Sequence, residues 1–209
     1  MQVLKNIPPS DFLHGLLCLH SYQNSQPSGP IEFPPQQQLH SNNQYLTKWK
    51  IKNVFQFDEF EPFYAVLYEN KEDCQFVFAF RGLQLKHLSL FNSSNQFKSD
   101  FCEKIQMLIK NPHEMDVYVK CKEVLTIAYE NGYYLSFTGY NLGAFMAQLC
   151  LTYCHKQAST DTFLSKAVLF DPIGVAKGIR QLTKRTDNDD FGFNETVGAT
   201  VTYLSFHCA

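Results

Sequence analysis

Apolar residues recur with two different periods along this chain, and each change of period marks an element. In residues 10–23, SDFLHGLLCLHSYQ, they return every three to four positions, which puts Phe12, Leu13, Leu16, Leu17 and His20 on one face of a short helix. Ser10 or Asp11 can cap it, because a short oxygen-bearing side chain accepts from the free amides of a first turn. Residues 24–44, NSQPSGPIEFPPQQQLHSNNQ, are polar and proline-rich, the composition of a surface loop. Strand signals follow in WKIKNVFQF (49–57), PFYAVLYE (62–69) and CQFVFAFRG (74–82). The last two flank the polar NKED and are expected to form an antiparallel hairpin.

Helical spacing then returns. FKSDFCEKIQMLIKN (97–111) reads as an amphipathic helix stopping before Pro112. MDVYVKCKEVLTIAYENG (115–132) reads as a second, with Val117, Cys121, Val124, Leu125 and Ala128 inward and a left-handed stop at Asn131-Gly132. YYLSFTG (133–139) is a strand and 142–157 a helix; KAVLFD (166–171) and GATVTYLSF (198–206) are strands. Antiparallel strands followed by alternating strands and helices predict an α/β layered sheet.

Composition sets bounds on this picture. A chain of 209 residues, 44% hydrophobic with 19 Phe and 11 Tyr, is expected to form a single globular domain over 1–209. A net charge of −2 with scattered Lys and Arg argues against nucleic-acid partners. The start MQVLKNIPPSDFLHG has no apolar signal region, and no stretch reaches the ~20 apolar residues of a transmembrane helix. Seven cysteines, mostly inside apolar segments, fit reduced buried thiols and a cytoplasmic location.

The segment that carries chemistry is YLSFTGYNLGAFMAQLC (134–150). Gly139-Tyr140-Asn141-Leu142-Gly143 has the glycine spacing of the G-x-S-x-G nucleophile elbow, with asparagine in the middle. Such an elbow leaves a strand, turns sharply at one strained residue and enters a helix; small flanking residues let the two approach. Asparagine tolerates left-handed backbone better than most non-glycine residues. The geometry is therefore expected to persist without the serine chemistry. Leu142, Phe145, Met146, Leu149, Cys150 and Tyr153 give the spacing of a buried helix.

Three segments in order resemble those of class 3, fungal-type lipases. SFTGYNLGAFMAQL resembles their TGHSLGG elbow, FVFAFRGLQ their AFRGT oxyanion segment, and AVLFDPIGV the strand after the elbow helix, which often reads AVTFDSPG. VTYLSF looks like the strand beyond it. The resemblance covers roughly residues 45–206. It implies an α/β-hydrolase-like three-layer sandwich, with a central mostly parallel sheet and an antiparallel N-terminal hairpin, C-terminally short. It further implies that Asn141 holds the nucleophile position, Tyr140 the place usually held by histidine, and the Leu142 N–H one oxyanion donor. Leu83 stands where the family has threonine and would supply the second donor. Arg81 and Gly82, with the elbow glycines Gly139 and Gly143, would be structural.

Serine hydrolysis also needs a histidine base and an orienting carboxylate. The family draws both from loops beyond the VTYLSF strand, and this sequence ends at Ala209, three residues past it. Asp171 and His87 are the weak substitutes. Asp171 also reads as capping the Pro172-Ile173-Gly174 turn, and His87 as a solvated loop residue. His155 falls roughly 20 Å down the elbow helix from position 141. His207 sits at the tail with no evident carboxylate. Cys150, Cys154 and His155 lack a fourth zinc ligand, and Asp187, Asp189 and Asp190 lack the register of a calcium loop. No metal or cofactor is expected. The functional expectation is a non-catalytic lipase-like protein that binds a lipid, an acyl chain or a protein partner. The alternatives are a lipase or esterase completed by residues outside this sequence or in a partner, and a scaffold or toxin-like interaction module.

Overall fold

The computed structural model describes residues 8–23, 31, 45–57, 64–82, 93–110, 115–157, 165–171 and 199–204. Six strands form one sheet in simple sequential order: β1 (Trp49–Gln56), β2 (Tyr64–Asn70), β3 (Gln75–Arg81), β4 (Tyr134–Tyr140), β5 (Ser165–Phe170) and β6 (Ala199–Leu204). The pairs β1–β2 and β2–β3 are antiparallel; β3–β4, β4–β5 and β5–β6 are parallel. The register of β1 on β2 slips between Ile51 and Asn53, a bulge near the end of the sheet.

Strand alternation sorts side chains onto two faces. Phe76, Phe78 and Phe80 of β3 join Leu135 and Phe137 of β4 in the larger core cluster. That cluster is closed by α3 (Asp116–Asn131) and α4 (Leu142–Gln157), and Ile105 of α2 (Asn95–Lys110) packs against it. Val77 and Ala79 of β3 face the opposite way, into a smaller cluster with Leu13, Leu16 and Leu17 of α1 (Asp11–His20). Helices therefore cover both faces of a mostly parallel sheet, the layering expected from the sequence and that of an α/β-hydrolase-like sandwich.

Local chemistry sets the ends. Ser10 caps α1, its Oγ accepting from the Leu13 amide at 3.2 Å. Gly132 ends α3 in the left-handed region, φ 66°, as the Asn131-Gly132 signal predicts. The β2–β3 turn is an Asx turn, in which Asn70 Oδ1 accepts from the amides of Glu72 and Asp73. Cys74 takes φ 52° and belongs to that turn, so β3 begins one residue later than the apolar run suggests. Phe12 is a second difference. It is 53% exposed and stacks edge-on against Tyr45, while His14 is buried in its place.

Candidate functional site

Three parallel segments converge at one edge of the sheet. β4 ends at Tyr140, Asn141 turns the chain, and α4 begins at Leu142. Asn141 has φ 55°. Its amide donates to the Phe170 carbonyl at the end of β5 (2.9 Å), and its own carbonyl accepts from Phe145 in the first turn of α4 (3.2 Å). A left-handed residue between a strand and a helix, anchored on both sides, is the geometry of a nucleophile elbow. The conformation strains most L residues, and asparagine tolerates it better than most of them.

The glycines explain why the turn closes. A Cβ on Gly139 would enter the Gly143 carbonyl group and lie 2.6 Å from the Ala144 amide nitrogen. One on Gly143 would meet the Phe80 carbonyl oxygen and lie 3.0 Å from the Gly82 nitrogen. One on Gly82 would lie 2.8 Å from the Gly143 nitrogen. These are contacts with backbone, which cannot swing aside as a side chain can. Gly82, Gly139 and Gly143 thus let β3, β4 and α4 touch main chain to main chain. Leu142, Phe145, Met146, Leu149, Cys150 and Tyr153 are all buried, as the helical spacing requires.

Asp171 follows β5 directly and sits beside Asn141, because Tyr140 pairs with Phe170 in the ladder. It too is left-handed, φ 47°. Two strained Asx residues thus stand side by side on neighbouring strand ends. Tyr140 is 45% exposed at the same edge. The Arg81 guanidinium lies 4.1 Å from the centre of the Tyr64 ring, its partner across the β2–β3 ladder. Arg81 Nε is buried and finds no hydrogen-bond acceptor among the described residues. Burial pulls the Arg81 pKa down from its ordinary value.

Sequence reasoning missed Tyr22. Its hydroxyl accepts from the Gly82 amide at 2.9 Å and donates to the Tyr140 carbonyl at 3.4 Å, tying the end of α1 across the tips of β3 and β4. Burial, the largest cause, drives its pKa well up, so the phenol stays neutral. The Gly82 N–H is therefore spent within the fold. Leu83 and His87, the proposed second oxyanion donor and the loop histidine, lie outside the described residues, as do His207, the 172–174 turn and the acidic run at 187–190. Position 155 is near the far end of α4, away from the elbow. Among the described residues no three His, Cys, Asp or Glu side chains are grouped to hold a metal, and no helix is long and apolar enough to cross a membrane.

The fold these elements build is lipase-like. Among solved structures, the nonglycosylated LIP2 lipase of Yarrowia lipolytica matches 82% of this chain and 62% of its own length, with a TM-score of 0.51 and 16% identity. A fungal lipase matches 77% of this chain and 60% of its own, with a TM-score of 0.47 and 15% identity. The chain therefore spans about three fifths of the length of these lipases. No protein-family model and no curated protein matches the sequence.

Proposed function

We propose that this chain is a non-catalytic protein on a lipase-like scaffold, one that binds a lipid, an acyl chain or a protein partner instead of hydrolysing an ester. The observation that carries the reading is Asn141 at the apex of the strand–helix turn, φ 55°, between two glycines that a side chain could not replace. In this fold the apex presents the attacking group above the sheet. An amide nitrogen has its lone pair delocalised into the carbonyl and no proton that a base can remove near neutral pH, so it cannot open an ester by the serine route. Asp171 beside it could orient a base, but no histidine among the described residues reaches the pair: His14 and His20 are buried in contacts of their own.

Two measurements on the purified chain test the reading. Short-chain p-nitrophenyl esters should turn over at the background rate, and a fluorophosphonate probe should leave the protein unlabelled. Turnover or labelling would favour a lipase or esterase instead. Mass spectrometry of a lipid extract should show a co-purifying acyl ligand; an empty extract together with no activity would favour a protein-binding scaffold.

A further inference from the structure

The larger core cluster contains three thiols. Cys121 lies on α3, and Cys150 and Cys154 lie one turn apart on α4. All three are completely buried. The sulfurs of Cys121 and Cys154 stand 3.4 Å apart, inside ordinary van der Waals separation, while the Cys121 thiol also points toward the Cys150 carbonyl at 3.9 Å. Tyr118 and Tyr153, with ring centres 4.8 Å apart, pack the same two helices together beside them.

A soft metal is one use for grouped thiols, but these do not form a ligand set. Closing the remaining gap to a bond of ~2.05 Å needs a shift of little more than ~1 Å. We propose that Cys121 and Cys154 are an oxidative cross-linking site, closing to a disulfide that staples α3 to the elbow helix α4. The co-reactant is a low-molecular-weight disulfide such as oxidised glutathione. The Cys121 thiolate attacks one of its sulfurs and expels a thiolate. The Cys154 thiolate then attacks the Cys121 sulfur and expels the second. Two electrons pass from the cysteine pair to the small disulfide, and the two cysteine protons end on the two released thiols.

Burial holds both thiols protonated, with pKa values pushed well above the ordinary range, so neither attacks readily in the closed fold. Cross-linking therefore accompanies folding, or an opening of α3 from α4. The link would close a loop across 33 residues of separation and remove entropy from the unfolded chain.

The full chain, reduced and unfolded, is refolded in a buffer of reduced and oxidised glutathione, trapped with an alkylating agent and mapped by proteolysis and mass spectrometry. The expected product carries a peptide pair joined through Cys121 and Cys154, melts roughly 5–15 °C above the reduced protein, and loses that gain when reductant is added. Recovery of both cysteines alkylated, capped by glutathione or joined to another cysteine overturns the proposal, and so does a cross-linked product that melts no higher. Cys154→Ala should abolish the link and Cys150→Ala should keep it. If either variant fails to fold, the map of the unaltered chain decides.

Discussion

The two faces of β4 are held by opposite means. On one face α4 is brought in by absence: Gly139 and Gly143 carry no side chain, so helix and strand meet along their backbones, with apolar residues filling the rest. On the other face the contacts of α1 to β4 are polar, beside the packing of its leucines on β3. His14 is completely buried, with Nδ1 2.8 Å from the Ser10 carbonyl and Nε2 2.9 Å from Ser136 Oγ. A carbonyl can only accept, so the proton sits on Nδ1, and Nε2 accepts from Ser136. The Phe76 carbonyl is a second, longer acceptor for that hydroxyl at 3.2 Å. Thr138 donates to Val168 and lies near the His14 carbonyl, and Lys166 pairs with Asp11. One interface depends on space alone and the other also on the protonation of its buried groups, so they should respond differently to steric change and to acid.

The largest effect should come from steric insult to the first face. Gly143→Val places atoms into the Phe80 carbonyl and should cost about 4 kcal/mol or more, a large fraction of a domain's stability. A variant that expresses and melts like the parent would mean that the elbow does not close as described.

Acid should act on the second face. Burial is the main cause that lowers the His14 pKa to about 4, with Lys166 adding to it and the Ser10 carbonyl and Asp11 opposing. His20, buried against the Tyr68 hydroxyl, is also lowered to about 4. Below the ordinary histidine value of ~6.5 the unfolded chain binds protons that the folded chain refuses. Stability is therefore full above ~pH 6.5 and falls toward pH 4, where His14 alone accounts for about 3 kcal/mol. Urea titrations from pH 7.5 to 4.5 check this. His14→Gln should cost stability at pH 7 yet flatten the acid slope; an unchanged slope would remove His14 as its source.

The smallest effect falls at the apex between the faces. Asn141→Ser restores the G-x-S-x-G spelling and should cost under about 1 kcal/mol, since serine tolerates left-handed backbone a little less well than asparagine. Ester hydrolysis should stay within about tenfold of background, because a hydroxyl without a base in reach remains protonated. Robust turnover that Asp171→Ala abolishes would reveal a base and end the non-catalytic reading.

The contrast also explains what could be read from the sequence. The glycine-built face was legible because close backbone approach leaves a local spelling: Gly139 and Gly143 flank Asn141 within five residues, and the apolar spacing of 142–157 names the buried side. The antiparallel hairpin and the layered α/β sheet followed from the strand signals and the alternation of elements. The polar face left no such mark. His14 contacts Ser136 across 122 residues of chain, and a histidine in an apolar helix carries no sign of which hydroxyl will meet it. Phe12 was expected inward for the same reason, since periodicity gives a helix face and not its rotation to within one residue. Tyr22 escaped because its partners are main-chain atoms of Gly82 and Tyr140, which any residue would offer.

The bulge in β1 bears on how the molecule behaves in company. A sheet that stops at a strand leaves a row of backbone donors and acceptors on which another chain could extend it, the first step toward aggregation. Along β1 the register breaks between Ile51 and Asn53, and Lys50 and Lys52 on either side of Ile51 are both exposed. A regular incoming strand would lose ladder bonds at the irregularity and would have to bury or displace two positive charges. Among the described strands, the residues that finish the sheet at β1 thereby disfavour its growth on that side.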